Sequence, residues 1–290
     1  MKYEGLIYRP PSEAESLLLQ VTTGCSHNRC TFCGAQKEKK FRIKTFQEIE
    51  EDILEAAAWG RHERVFLCDG DALIIPQARI VEILQSVNKH LRGVKRIGVY
   101  GNAKSILRKS VEELQELGNL GLGIIYLGVE TGDEDLLKKI VKGADYRKLV
   151  AAGRRVKEAG ILLSVTVLLG IGGQDGSAKH ALETAKILTE IDPDYVGALT
   201  VMVVPGTPLG DEAERGEFKL PGPFGFIEEL GIIIANANFT NCFFTSNHAS
   251  NYLPLRIRLP QEKEKALRII TAALQSGDQR TLRPEYARGL

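Results

Sequence analysis

Residues 16–34 read SLLLQVTTGCSHNRCTFCG, an apolar and β-branched run followed directly by three cysteines. The run predicts a buried strand. Cys25, Cys30 and Cys33 lie in the loop after it, with the spacing C-x4-C-x2-C. Five further apolar runs, separated by segments of helical periodicity, continue the pattern to about residue 205. This alternation predicts repeated βαβ units and therefore a parallel sheet.

Six strands are predicted before residue 205. They are expected at 16–23, 63–70, 96–101, 123–130, 161–173 and 195–205. A closed eight-unit barrel takes about 250 residues, whereas only six units fit here. The predicted fold class is therefore α/β, a partial (β/α)6 TIM-like barrel of parallel strands with a C-terminal helical extension. The expected domains are 1–205, the barrel, and 206–290, an extension that packs on the barrel within one continuous domain.

Helical periodicity and capping signals predict the helices. They are expected from Thr45 to about residue 60 and at 78–91, 106–118, 131–143, 146–160, 177–191, 224–239 and 262–276, with a turn-rich loop at 205–223. Thr45 with Glu48, and Thr131 with Glu134, have the spacing of capping boxes. Ser110 is expected to start a fresh helical turn.

The amino-acid composition limits the classes of binding partner that are expected. The 290 residues carry 38 Lys and Arg against 37 Asp and Glu, so no overall field attracts nucleic acid or anionic lipid. The basic run at 37–44 is open to two interpretations, a solvated connection or an anion-binding segment. The N-terminal residues lack the apolar core of a signal peptide, and no stretch has the ~20 apolar residues of a membrane span. A cytoplasmic protein without a membrane partner is expected.

Thiols in a reducing compartment indicate metal binding or catalysis more than disulfides. A structural zinc site takes four protein ligands, and candidates for a fourth are His27, Cys68, Cys242 and His248. Three thiolates on a [4Fe-4S] cluster would instead leave one iron open to a small molecule. The residues favour iron–sulfur, with zinc and unmetallated core cysteines as alternatives. Cys68 is expected to be a small buried hydrophobe.

At these residues the chain resembles the radical S-adenosylmethionine (radical SAM) superfamily. Its commonest signature is C-x3-C-x2-C with an aromatic residue before the last cysteine, and TFC at 31–33 matches the second half. The first two cysteines stand one residue further apart than in that signature. GCSHNRCTFCG resembles a subgroup related to the cobalamin-linked radical SAM proteins, and no cobalamin-binding domain is expected here. The likeness covers about residues 17–205 for the core and extends to about residue 259 for the subgroup.

The resemblance implies two cofactors, a [4Fe-4S] cluster and S-adenosylmethionine (SAM). It implies that Cys25, Cys30 and Cys33 bind three irons and that SAM chelates the fourth. One electron from the cluster would cleave SAM to methionine and a 5′-deoxyadenosyl radical. Phe32 would lie beside the adenine, which is compatible with a core aromatic.

Polar residues at the carboxyl ends of barrel strands are candidates for the active site. CDGDAL at 68–73 lies where the superfamily commonly has a Gly-Gly-Glu stretch that receives the SAM amino group, so Asp69, Gly70 and Asp71 are candidates for that role. An acidic turn is the alternative. Asn102, after the third strand, is a weaker candidate for the same site.

The later strand ends add further cofactor candidates. Glu130 resembles an acidic residue of the family that contacts the cofactor, although it also stands at the start of a helix. Gly170, in LLGIGG at 168–173, fits a glycine-rich stretch near adenine. Met202 and Val203 either line the same pocket or pack in the core.

The segment FTSNHASNYLPL at 244–255 is dense in hydrogen-bonding groups. His248 is expected to act as a catalytic acid or base near neutral pH. Substrate-binding candidates around it are Ser246, Asn247, Asn251 and Tyr252. A self-bonded turn is the alternative.

The expected activity is hydrogen abstraction from a small-molecule or peptide substrate, with flavodoxin or ferredoxin as electron donor. Only Cys68 and Cys242 remain outside the loop, so a second cluster held by three cysteines is not expected. The balanced charge disfavours a nucleic-acid substrate. Two alternatives stay open, a zinc or iron–sulfur interaction module without SAM cleavage, and an enzyme of RNA or cofactor modification.

Overall fold

The computed structural model describes residues 1–289, and it has the expected α/β fold. Within these residues there are ten strands. They are β1 (Leu17–Gln20), β2 (Thr22–Thr23), β3 (Arg42–Ile43), β4 (Arg64–Cys68), β5 (Arg96–Tyr100), β6 (Leu122–Glu130), β7 (Leu162–Leu169), β8 (Tyr195–Thr200), β9 (Cys242–Thr245) and β10 (Arg256–Leu259). Eight of them form a mostly parallel sheet in the order β1-β4-β5-β6-β7-β8-β9-β10. The fold-class prediction is confirmed.

Ten α-helices connect or follow the strands in the described part of the chain. They are α1 (Phe46–Ala58), α2 (Gln77–His90), α3 (Ala103–Leu107), α4 (Val111–Asn119), α5 (Glu134–Lys139), α6 (Tyr146–Glu158), α7 (Gly173–Ile191), α8 (Pro208–Glu214), α9 (Pro223–Asn236) and α10 (Lys263–Ser276). Short 3₁₀ turns lie at Pro11–Glu13, Ala72–Ile74, Gln279–Thr281 and Glu285–Ala287.

The chain forms two compact units. The first comprises Met1–Asn28, Ala35–Leu127 and Ala151–Leu163, and the second comprises Arg29–Gly34, Gly128–Val150 and Ser164–Leu290. A domain boundary at residue 205 stays a prediction.

In the first unit, β1, β4 and β5 pair in parallel, with Leu19 opposite Leu67 and Val65 opposite Ile97. These side chains are fully buried, as expected for parallel strands covered on both faces. The register brings the carboxyl ends of β1 and β4 side by side, since Gln20 stands opposite Cys68.

In the second unit, β7 and β8 are parallel, β9 is parallel to β8, and β10 is antiparallel to β9. α7 packs on α9, and α9 packs on α10. A core cluster of this unit contains Ile140, Leu168 and Leu209. Its buried apolar side chains are closely packed, which makes this part of the unit rigid.

Helix starts were predictable where a complete capping motif was present. Thr45 and Ser110 each cap a helix, with Glu48 and Glu113 closing the capping boxes. The Thr131–Glu134 prediction is wrong, because Asp133 is the N-cap and accepts from the backbone N–H groups of Asp135 and Leu136.

Three elements of the C-terminal region were not predicted. α8 lies inside the stretch expected to be a loop, where Thr207 caps it and Pro208 occupies its first turn. β9 and β10 flank the polar segment of residues 246–255. These strands have only four residues each, which is too short for a clear alternation signal.

Among residues 1–289, no helix has the length and apolar character required to cross a bilayer.

Candidate functional site

The first half of the cysteine loop stands beside the turn that follows β4. A Cβ added to Gly70 would lie 3.0 Å from the Cβ of Cys25 and 3.4 Å from the Cγ of Gln36. A side chain at residue 70 would therefore press against Cys25, which would have to shift by a few tenths of an ångström. This close approach is a local reason for glycine at this position.

Asp69 holds the loop at several points. Its carboxylate accepts hydrogen bonds from the Gly24 backbone N–H (3.3 Å) and from Gln36 Nε2 (3.0 Å). It also forms an ion pair with Lys39 Nζ at 2.6 Å. Gly24 precedes Cys25, and Gln36 and Lys39 follow the third cysteine, so one buried carboxylate binds chain segments on both sides of the motif. Lys39, in the basic run at 37–44, has a structural partner here.

Asp71 is the second buried carboxylate of this turn. It accepts from Ser26 Oγ, from Ser105 Oγ (2.7 Å) and from the side chain and backbone of Asn102 (2.7 and 3.1 Å). Burial raises the pKa of the Asp71 carboxyl, and the hydrogen bonds oppose part of that rise. Asn102 also caps α3 through the Ser105 N–H. The structure therefore brings Asp71 and Asn102 together as one network.

In the second unit, residues 29–34 are held through their backbone. Thr31 donates to the Ile140 carbonyl and accepts from the Leu209 N–H, both at 3.0 Å, and Cys33 N–H donates to the Cys30 carbonyl at 3.4 Å. Phe32 packs against the core cluster that contains Ile140 and Leu209. These contacts use the backbone of the segment and the Phe32 ring.

Glu130 ends β6 in the left-handed region, with φ of 67°. Its carboxylate is paired with Lys142 Nζ at 2.7 Å, and both side chains are largely buried. Glycine at position 128 leaves space for this ion pair, because an added Cβ would overlap Glu130 Oε1. Glu130 is thus oriented by a lysine that sequence reasoning missed.

Gly170, after β7, is fixed by a buried acid. Its N–H donates to Glu229 Oε2 and Ser177 Oγ donates to Glu229 Oε1, both at 2.6 Å. The φ of Gly170 is 82°, and an added Cβ would overlap the Phe226 ring. Glycine is required here for both reasons.

His180 lies beside this acid, with its Nε2 atom 3.8 Å from Glu229 Oε2. Its Nδ1 contacts Thr131 Oγ1 at 2.8 Å. Burial raises the pKa of Glu229 to about 7 and lowers the pKa of His180 to about 4. Both groups therefore favour their neutral forms, and the pair is not a strong ion pair near pH 7.

Replacing Glu229 with Gln should make the protein relatively more stable as the pH rises. The folded chain binds the Glu229 proton more tightly than the unfolded chain, whose pKa is near 4.5, so wild-type stability from this group falls between pH 4.5 and 7. Relative to wild type, Glu229→Gln should gain ~3 kcal/mol in unfolding free energy across that window. Urea unfolding at several pH values measures the difference. Glu228→Gln, on the exposed neighbour, should run parallel to wild type, and so would Glu229→Gln if the burial argument were wrong.

The two candidates after β8 lie in different surroundings. Val203 packs against the same cluster as Phe32. Met202 is half-buried and is not part of that cluster.

The polar segment at 246–252 is bonded largely within itself and to β8. Ser246 Oγ donates to the Leu253 carbonyl and accepts from the Leu255 N–H. Asn251 binds Thr200 Oγ1 and the Ala198 carbonyl, both at 2.8 Å. These contacts give Ser246 and Asn251 structural partners.

Other groups of this segment are more accessible. His248 is half-buried, its Nδ1 contacts the Ser250 hydroxyl and N–H, and burial lowers its pKa, with the nearby Arg283 charge acting in the same direction. Tyr252 stacks on Phe226 and lies under the Arg288 guanidinium. Asn247 is exposed.

The donor chemistry of the cysteine loop fits an iron–sulfur cluster. Cys25, Cys30 and Cys33 are half-buried, and all five cysteines lie outside disulfides. Within residues 1–289, no three His, Cys, Asp or Glu side chains stand together as a ready-formed metal site. The ligand role of the three cysteines therefore stays a prediction from their spacing.

Sequence reasoning missed Gln36, Lys39, Lys142, Glu229 and His180. None of them belongs to a short motif, and each meets its partner only after the chain has folded. A buried acid inside the apolar helix α9 was the one available signal, because charged residues are seldom fully buried without a partner.

Comparisons with known proteins identify the family of this chain. The Bacillus subtilis (strain 168) heme chaperone HemW is 21% identical over 158 residues, which are 54% of this chain and 41% of HemW. A tRNA-2-methylthio-N(6)-dimethylallyladenosine synthase of Clostridium botulinum (strain Okra / Type B1) is 23% identical over 218 residues, 71% of this chain and 47% of that enzyme. The chain thus spans less than half the length of these two curated relatives.

A solved structure of similar fold is that of methylornithine synthase (PylB). It has a TM-score of 0.55, 21% sequence identity, and a match covering 77% of this chain and 63% of PylB. The family model of the Radical SAM superfamily matches residues 19–211, more than half of the chain and all three loop cysteines. The chain therefore belongs to the Radical SAM superfamily.

Proposed function

We propose that this protein is a radical SAM enzyme that removes a hydrogen atom from a small-molecule or peptide substrate. The observation that carries the proposal is the family match across residues 19–211, within which the three-cysteine loop lies. Enzymes of this family use a [4Fe-4S] cluster and SAM. When bound, these cofactors supply a one-electron cleavage of SAM that gives a hydrogen-abstracting adenosyl radical.

In this proposal Cys25, Cys30 and Cys33 hold three irons, and the fourth is left for SAM. The spacing C-x4-C-x2-C supports membership of the subgroup related to the cobalamin-linked proteins. The backbone hydrogen bonds of Thr31 and the hydrogen bonds accepted by Asp69 support the role of the loop. They hold the loop and the residues that flank it through groups other than the thiols.

The remaining cofactor contacts are assigned to strand ends. Phe32 and Gly170 contact the adenine, and Met202 and Val203 line the same pocket. The turn at Asp69, Gly70 and Asp71, with Asn102, serves the methionine part of SAM. Glu130 accepts hydrogen bonds from hydroxyl or amino groups, and its ion pair with Lys142 orients the carboxylate.

Substrate is assigned to the segment at 246–252. The lowered pKa of His248 favours the neutral imidazole, which accepts or donates a hydrogen bond without carrying charge. Asn247 and the ring of Tyr252 supply polar and apolar contact surface, while Ser246 and Asn251 position the segment through their bonds to neighbouring backbone.

The proposed substrate is a small molecule or a peptide rather than tRNA, because the charge of the chain is balanced and no second cluster is expected. Cys68 and Cys242 are the cysteines outside the loop, and both are fully buried in strands. Burial raises the pKa of the Cys68 thiol, which disfavours the thiolate that a metal requires. The reductant is expected to be a protein of the flavodoxin or ferredoxin class in a cytoplasmic, oxygen-poor setting.

Anaerobic reconstitution of the wild-type chain tests the proposal. Treatment with iron and sulfide should give a brown protein with about four irons per chain. Addition of SAM and dithionite should then release 5′-deoxyadenosine and methionine in equal amounts, measured by liquid chromatography. A colourless protein that binds zinc and leaves SAM intact would instead establish the interaction module.

A further inference from the structure

Gln36 carries a buried hydrogen-bond acceptor that nothing in the described chain satisfies. The residue is 5% exposed. Its Nε2 donates to Asp69 Oδ1 at 3.0 Å, whereas its Oε1 has no hydrogen-bond partner in the described protein. Buried polar atoms are nearly always paired, so an orphaned acceptor requires an explanation.

The orientation of the Gln36 amide is fixed by its surroundings. A flip of the amide would turn its oxygen toward the Asp69 carboxylate, which has no proton donor to offer when ionised. Asp69 is also paired with Lys39 Nζ, at 2.6 Å. The Gln36 backbone is fixed as well, because its carbonyl accepts from Asn28 Nδ2 at 2.8 Å and from the Lys39 N–H at 3.2 Å.

The unused acceptor lies on a residue beside the turn proposed to receive the SAM amino group. Gln36 Cγ and Cys25 Cβ both lie within 3.4 Å of the point that a Cβ on Gly70 would occupy. Gln36 therefore packs against Gly70, next to Cys25, the first cysteine of the loop.

The carboxylates of this turn have little acceptor capacity left. Asp71 already accepts four hydrogen bonds, and Asp69 accepts from four donors. A carboxylate offers about four lone-pair positions. The acceptors left for the SAM amino group are therefore backbone carbonyl groups of the turn and side-chain oxygens that the fold does not already use.

We propose that Gln36 is a cofactor-binding residue whose Oε1 accepts a hydrogen bond from an N–H of the SAM amino group. This inference rests on the proposed function and adds to it a contact outside the strand-end motifs. The Gln36–Asp69 bond fixes which end of the amide is the oxygen, so the acceptor stays unused by the protein.

Gln36→Met tests the contact, because methionine has similar length but no carbonyl. SAM binding is measured by equilibrium dialysis with cluster-loaded protein and no reductant, so turnover does not contribute. Loss of the hydrogen bond to the amino group should weaken SAM binding by about 2- to 10-fold. A SAM analogue that lacks the amino group should bind wild type and Gln36→Met with equal affinity.

Iron content and the cluster absorption spectrum serve as controls for the loop itself. Equal SAM affinity in wild type and Gln36→Met would overturn the inference, and so would an equal loss of affinity for SAM and the analogue. If Gln36→Met does not hold a full cluster, Gln36→Leu is used in the same assay. Cluster loss in both variants, with the fold retained, would assign Gln36 a purely structural role. A wild-type chain that holds a cluster but does not bind SAM would refute the proposed function instead.

Discussion

Cys30→Ala should abolish both the cluster and SAM cleavage. The proposed site needs three thiolates for three irons, and this variant keeps only two. The iron content per chain after anaerobic reconstitution should therefore fall to the level of nonspecifically bound iron. Release of 5′-deoxyadenosine should fall below detection. The measurements are iron and sulfide per chain, the low-temperature electron paramagnetic resonance spectrum of the reduced protein, and product formation.

The fold should survive this substitution. Residues 29–34 are held by the backbone bonds of Thr31 and Cys33 and by the packing of Phe32, none of which uses the Cys30 side chain. Cys68→Ala is the matched control, because it also removes one thiol, from a fully buried strand position. It should lose about 1 kcal/mol of stability from the small cavity and keep its cluster. Full iron loading and cleavage in Cys30→Ala would remove this cysteine from the proposed site.

The sequence predicted the barrel core because its signals are local. Apolar runs placed all six parallel strands, and complete capping motifs placed Thr45 and Ser110 at helix starts. The Thr131 prediction failed for a physical reason. Its hydroxyl is bound to Asp133 N–H and His180, so a second polar residue two positions later caps the helix.

The candidate site was less predictable, since its partners come from distant parts of the chain. The cysteine spacing identified the loop, but Asp69 reaches the residues on both sides of it only through the pairing of β1 with β4. Glu229 and Gly170 are 59 positions apart, and no motif links them. The sequence therefore indicates which atoms carry the chemistry, while tertiary contacts decide which residues hold those atoms in place.

Asp71→Ala should be the most destabilising single change proposed here. It leaves the hydroxyls of Ser26 and Ser105 and both N–H groups of Asn102 without their acceptor. Each buried donor left unsatisfied costs about 1–3 kcal/mol, and rotation of the two hydroxyls recovers part of this. We expect a net loss of ~3–6 kcal/mol, a large share of the 5–15 kcal/mol typical of folded domains. Urea unfolding of the cluster-free chain, followed by circular dichroism, measures it without reference to activity.

Asp71→Asn separates the hydrogen bonds from the charge. The amide oxygen still accepts, and the hydroxyls of Ser26 and Ser105 can turn to accept from the new amide, so the loss should be much smaller than in Asp71→Ala. Burial raises the pKa of Asp71 in the folded protein, so ionisation weakens wild-type stability as the pH rises above the usual value of 3.8. Asparagine carries no such penalty, and the gap between Asp71→Asn and wild type should therefore narrow with rising pH. A gap that widens would mean that the charge itself stabilises the turn, with Asp71 acting as the anchor of the cysteine loop through its ionised form.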